Sequence, residues 1–244
     1  MGTVIAVTSG KGGTGKTSIT GGVGACLALL DQNVLCIDMD IGLRNLDISL
    51  GLSDRALMDF SDVALGHCPL TRAAVTHPEL KTLSLLTAPM YLPAALTADK
   101  VRALLATART LYDYILIDSP AGLGPGFRLA TCGADRALVV ATNDASSLRD
   151  AQRTVAELSD LRQIHLVMNR IQPKLLRKLR TTIDDAMNAA GLPLIGVVPE
   201  DPQVILCANQ GLPLASQGRR GASLACWNIA QRIIGRQVPI MHIR

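Results

Sequence analysis

The residues around position 10 leave this chain few ways to fold. "TVIAVT" (3–8) runs directly into "SGKGGTGKTS" (9–18), and a helical spacing follows. Residues 10 to 17 satisfy G-x-x-x-x-G-K-[ST] between an apolar run and a helix, the context that gives this pattern meaning. Gly10, Gly12, Gly13 and Gly15 let the backbone wrap closely around phosphate oxygens. Backbone N–H groups at the helix start favour the anion. In such a loop Lys16 reaches the β- and γ-phosphates of a nucleotide and Thr17 holds Mg²⁺. Thr14 and Ser18 belong to the same nucleotide-binding set. Lys11 is not required by this scheme, and its purpose is an open question at this point.

Further short apolar runs occur at 33–38, 83–88, 112–118, 136–142, 164–169 and 193–199. They do not alternate polar with apolar, as expected for strands buried on both faces. Helical spacing fills 16–30, 97–110, 146–161 and 174–190. Strand and helix in repetition predict an α/β fold: a P-loop NTPase with a doubly wound, mostly parallel sheet and helices on both faces. With 244 residues, 48% hydrophobic and 18% charged, one domain spanning 1–244 is expected. Ligands of such sheets bind at the carboxyl ends of the strands.

The remaining chemistry-bearing residues sit at those ends. "CIDMD" (36–40) supplies Asp38 and Asp40, for a Mg²⁺ shell, for water or for capping a turn. "YILIDSPAGLG" (114–124) is an apolar strand delivering Asp118 toward a metal, followed by a Pro/Gly-rich segment able to change conformation. Asn169 ends another run, and an amide can both donate to and accept from a base edge. Pro199, Glu200 and Asp201 open the next loop. No guanine-type N-K-x-D is present, since 170 is Arg and 172 is Gln, so ATP is the expected nucleotide.

The pattern K-G-G-x-G-K-[ST] resembles that of the deviant Walker A ATPases. In them the extra lysine contacts phosphates bound by the partner subunit of a nucleotide-sandwich dimer. The resemblance implies that role for Lys11, a water-positioning role for Asp40, and a Mg²⁺-shell or structural role for Asp38. It places Asn169, and with less support Arg170, Pro199 and Asp201, beside adenine. "DIGLRNLDISLGL", "IDSPAGL", "ATNDASSLRDAQR" and "VVPEDPQVILCANQGLPL" are similar to the MinD family rather than to ParA, over residues 3 to about 240. Arg44 and Asn45 would then lie in the first switch and Asp150 at a partner face. A Mg²⁺-dependent ATPase follows, with an ATP homodimer, a MinC-like inhibitor, a MinE-like activator and placement of the division site. The rival readings are a flagellar-number or DNA-partitioning ATPase, a non-catalytic scaffold, and a metal-cluster carrier.

Other features narrow the reading. Net charge is +4 and aromatic residues are 2%, so no specific nucleic-acid partner is expected. The six cysteines form no Cys-x-x-Cys, and Cys26 and Cys36 read as small core residues. No signal-peptide pattern or membrane span is visible, so a cytoplasmic protein is expected, at most peripheral on the membrane. MinD proteins usually end in a basic amphipathic helix. "VPIMHIR" (238–244) looks too short and broken for one; a weak touch of lipid is the alternative there, not the expectation. The basic stretch "PKLLRKLRTTI" (173–183) could meet anionic lipid or DNA, but is expected to be a surface helix packed on the sheet by its leucines.

Overall fold

The computed structural model describes residues 1–241. Eight strands form one sheet: β1 (Thr3–Thr8), β2 (Val34–Asp38), β3 (Val75–Thr76), β4 (Leu83–Leu86), β5 (Tyr114–Asp118), β6 (Arg136–Ala141), β7 (Gln163–Ile171) and β8 (Leu194–Pro199). Their spatial order is β3-β4-β2-β5-β1-β6-β7-β8, and every pairing is parallel except β3 with β4. The α/β P-loop architecture expected from the sequence is therefore present. The short antiparallel β3 was not anticipated, because two residues carry no periodic signal.

The helices are α1 (Lys16–Ala28), α2 (Leu46–Ser49), α3 (Phe60–Ala64), α4 (Leu70–Ala73), α5 (Ala98–Leu111), α6 (Pro125–Thr131), α7 (Ala145–Glu157), α8 (Pro173–Leu179), α9 (Ile183–Ala190), α10 (Gln203–Gln210) and α11 (Gly221–Ile233). Odd and even strand positions feed opposite faces, and both faces are covered. Ile5, Val7, Cys36 and Leu116 pack under α1 and α11. Val4, Leu35, Ile37 and Ile117 pack under α5 on the other face. Val139, Leu166 and Met168 pack with Ala151 of α7 and Ala186 of α9. This two-sided burial is why the strand runs do not alternate.

Helix α1 lies against α11 at close range. A Cβ on Gly22 would sit 2.8 Å from Cys226 Sγ, so the contact needs glycine there. Cys26 and Cys36 are both buried, as core residues should be. Burial pushes both thiols up, Cys26 with a further push from Cys226. Helix α11 escaped the sequence reading because "GASLACWNIAQRI" is rich in small residues, which weaken any amphipathic signature.

Two expectations are corrected. The stretch 174–190 is two helices, not one. Arg180 takes a left-handed conformation (φ 52°), and Thr182 with Asp185 forms a capping box that starts α9. The leucines of the first piece do not all pack inward: Leu176 contacts the core, while Leu175 and Leu179 are 43% and 50% exposed. The chain after α11 folds back onto the core where it is described. Ile240 and Met241 are partly buried against the core, and Arg232 donates to the carbonyls of Val238 and Pro239. Residues 242–244 lie outside the described residues. Among the described residues no helix is long and apolar enough to cross a membrane.

Candidate functional site

The loop from Ser9 to Gly15 joins β1 to α1 at the carboxyl edge of the sheet. Gly15 adopts φ 91° and leaves the first turn of α1 without a side-chain cap, so its backbone donors face the loop's concavity. A Cβ at Gly15 would lie 2.3 Å from Asn169 Nδ2. A Cβ at Gly10 would lie 2.5 Å from Asp150, so this glycine also seats the loop on α7. Gly12 and Gly13 occupy the exposed crest.

Lys16 opens α1 and is 7% exposed, with Nζ 3.1 Å from Ser9 Oγ. Burial lowers its pKa, and the negative charges of Asp118 and Asp40 oppose that shift. Asp38 and Asp118 are paired in register across β2 and β5, so the two carboxylates end neighbouring strands. Asp118 is 1% exposed and burial pushes it up to about 7, against the influence of the Thr17 hydroxyl and the charge of Lys16. Its Oδ1 accepts from Thr20 Oγ1 at 3.4 Å, and its buried Oδ2 has no partner among the described residues.

Asp38 is also buried, and burial raises it to about 6 although two backbone N–H groups stabilise its charge. Those groups belong to Asp40 (2.9 Å) and Leu46 (3.1 Å). Of the two roles left open for Asp38, the visible one is structural: it pins the turn that carries Asp40, Arg44 and Asn45. Asp40 is half-buried; desolvation raises its carboxyl and Lys16 lowers it. Among the described residues no three His, Cys, Asp or Glu side chains are set to cage a metal. Mg²⁺ typically takes one or two carboxylates and completes its shell with phosphates and water. The orphaned Oδ2 of Asp118 and the Thr17 hydroxyl are the groups suited to it.

Lys11 points away from its own loop. Its Nζ lies 2.7 Å from Asp144 Oδ1 and 3.0 Å from Ser146 Oγ, and the side chain is 33% exposed. Asp144 caps α7 through the Ser147 N–H and also accepts from the hydroxyls of Thr142 and Ser146. Partial burial alone would raise the Asp144 carboxyl. The hydrogen bonds, led by that of Lys11, outweigh burial and hold it well below the usual carboxylate range. Asp144 and Ser146 were not singled out from the sequence. The available signal was the capping pattern D-x-x-S ahead of a helix. Asp150, which was singled out, packs against Gly10 and lies 3.9 Å from Arg153.

At the other end of the loop, Asn169 donates from Nδ2 to the Thr14 carbonyl at 2.7 Å. A register shift in β7 puts Arg170 at φ 58°, where its guanidinium reaches Glu200 (2.9 Å) and the Gly13 carbonyl (3.2 Å). Asp201 accepts from the N–H groups of Gln203 and Ala222, both at 2.9 Å, and so joins α10 to α11. Ser18, Asn169, Arg170, Pro199 and Asp201 line one cavity of about 230 Å³. Its apolar wall comes from Ile19, Val198, Val204 and Leu214, none of which spacing revealed. A larger cavity, about 790 Å³, opens at the opposite edge of the sheet beside Arg136, His165 and Arg232. It is remote from the phosphate loop, and Arg232 there is committed to the Ile195, Val238 and Pro239 carbonyls.

Known proteins share this arrangement. Residues 5–214 match the CobQ/CobB/MinD/ParA nucleotide binding domain. The septum site-determining protein MinD of Bacillus subtilis is 39% identical over 252 aligned residues, covering 98% of this chain and 92% of that protein. MinD of Synechocystis is 38% identical, covering 99% and 92%. Among solved structures, the MinC:MinD cell division protein complex of Aquifex aeolicus superposes with a TM-score of 0.91 at 36% identity, covering 98% of each chain. MinD of Pyrococcus horikoshii, solved in complex with Mg-ADP, gives 0.84 at 26% identity, covering 96% and 97%. The chain belongs to the MinD family of septum site-determining proteins, within the CobQ/CobB/MinD/ParA nucleotide-binding domains.

Proposed function

We propose that this chain is a single-domain, Mg²⁺-dependent ATPase whose nucleotide state switches it between monomer and dimer during placement of the division site. The observation that supports the switch best is the setting of Lys11. Its ammonium is aimed outward and held by an exposed capping carboxylate, not by its own phosphate loop. An exposed ion pair is worth only about 0.2–1 kcal/mol. Lys11 can exchange Asp144 for a better anion, and the phosphates held by a second subunit are such an anion.

In this reading Lys16 and the loop N–H groups bind the β- and γ-phosphates. Thr17 and Asp118 would hold Mg²⁺, which would supply positive charge to offset that developing on the phosphates. Asp40 orients the attacking water beside Lys16. Asn169, Arg170, Pro199 and Asp201 frame the base. Asn169 and Asp201 do so indirectly, by fixing the loop and the α10–α11 junction. The Aquifex relative was solved with MinC, which supports a MinC-like inhibitor as partner. A MinE-like activator fits a switch whose lysine acts only across a dimer.

The test is light scattering of the eluting protein with Mg²⁺ and ATP or ADP, run beside nucleotide binding and turnover. Wild type is expected to be a dimer with ATP and a monomer with ADP. Lys11→Ala is expected to bind ATP within about threefold of wild type, to stay monomeric, and to lose turnover by 10³-fold on the order of a transferred arginine finger. A Lys11→Ala protein that dimerises and hydrolyses like wild type would sink the proposal.

A further inference from the structure

We propose that α8 and the turn after it form a contact surface for an anionic lipid bilayer. Lys174, Arg177, Lys178 and Arg180 are exposed, and none pairs with a carboxylate among the described residues. Among the described residues their only side-chain hydrogen bond runs from Arg177 Nε to the carbonyl of Pro173, in its own helix. Four cations thus occupy seven consecutive positions, with no acid between Gln172 and Ile183. The carboxylates nearby are already used: Glu200 by Arg170, and Asp185 by the cap of α9. Asp184, exposed on the first turn of α9, is the nearest other acid along the chain.

Charge alone would suit any polyanion. The leucines decide the class. Leu175 and Leu179, one helical turn apart, are exposed between the cations, while Leu176 alone turns inward to the core. No residue of α8 is buried, so packing does not require leucine at either outward position. A phosphodiester backbone gains nothing from exposed leucines, since its contacts are charge and hydrogen bonds. A bilayer interface uses both features: apolar side chains enter the acyl boundary and cations meet the headgroups. The helix has under two turns, so the contact is weak and reversible.

The helix also sits close to the loop that binds phosphate. Pro173 follows Arg170 by three residues, and Arg170 reaches the Gly13 carbonyl. Binding to lipid itself requires no nucleotide. It stands apart from the ATPase reading and is tested without ATP.

The 244-residue protein is floated with vesicles of pure phosphatidylcholine or with about one-third phosphatidylglycerol, in the absence of nucleotide. Two double variants accompany it, Leu175→Ser/Leu179→Ser and Lys174→Glu/Lys178→Glu, with duplex DNA as a parallel probe. The wild type is expected to bind only the anionic vesicles. Each variant should weaken that binding, the charge variant by roughly 25-fold or more at about fivefold per cation. Nucleotide affinity and urea midpoint, unchanged in both, show that the fold and the phosphate site survive. Failure of the wild type to bind anionic vesicles, or binding by both variants at the wild-type level, overturns the proposal. So does a charge variant that loses DNA and vesicles alike beside a leucine variant that loses neither; that pattern marks a nucleic-acid contact.

Discussion

The two lysines of the phosphate loop occupy opposite environments, five residues apart. Lys16 is buried among Asp118, Asp40 and Ser9, and Asp118 has an oxygen with no partner among the described residues. Lys11 is a third exposed and bonded to Asp144 and Ser146. On the buried side charges are held away from water before any ligand arrives, which is costly and sensitive to protonation. On the exposed side a satisfied pair is cheap to form and cheap to break. A nucleotide-gated switch benefits from both: a preorganised anion site, and a cation whose partner can change.

The largest effect on nucleotide binding should come from the buried side. Lys16→Ala is expected to weaken ATP binding by roughly 100-fold, the scale for removing a preorganised charge donor. Titration calorimetry measures it. If the loss were no greater than that for Lys11→Ala, the two lysines would not differ as the geometry says.

The next effect is on pH dependence. The folded pKa of Asp118, about 7, lies above its value in an unfolded chain, near 4. Between those values the native state binds more protons than the unfolded one, so this group's contribution to stability falls as pH rises from 4 to about 7. Asp38, at about 6, acts in the same direction over a narrower window. His77 and His165, lowered by burial, pull the opposite way. The difference between wild type and Asp118→Asn isolates the aspartate. Without metal, the variant should be more stable than wild type by about 2 kcal/mol at pH 8 and by much less at pH 5. Urea unfolding at both pH values checks this, and an equal difference at the two would refute the buried assignment. Mg²⁺ with nucleotide needs the ionised form, so its binding should release protons below pH 7.

The smallest effect belongs to the exposed side. Asp144→Asn keeps a capping oxygen and should change stability by under about 0.5 kcal/mol. Asp144→Ala also removes the cap of α7 and should cost about 1 kcal/mol. A thermal melt of the two variants separates pairing from capping. A larger loss in Asp144→Asn would mean that Lys11 is structurally fixed rather than exchangeable.

Much of this site was legible in the linear chain. The phosphate loop declares itself because its glycines, its lysine and its helix start are contiguous, so local geometry dictates their arrangement. The strand carrying Asp118 was equally readable, being an unbroken apolar run with one carboxylate at its end. Asn169 and Pro199 were placed at strand ends by the same logic, and they do line one cavity with Ser18. The partners of Lys11 were not legible, since Asp144 lies 133 residues away in the chain. Nor was the break at Arg180, where leucine spacing suggested continuity and one left-handed residue ended the helix.

By itself, then, the sequence determined which long apolar runs become strands, that both sheet faces are covered, and where an anion is cradled. Only the tertiary structure decided which strand ends meet. The β2–β5 pairing sets Asp38 beside Asp118, and the β1–β6 pairing brings α7 and Asp144 to Lys11. The physical reason is that crossover connections choose spatial neighbours through packing of whole helices on the sheet, a choice that no local spacing of residues encodes.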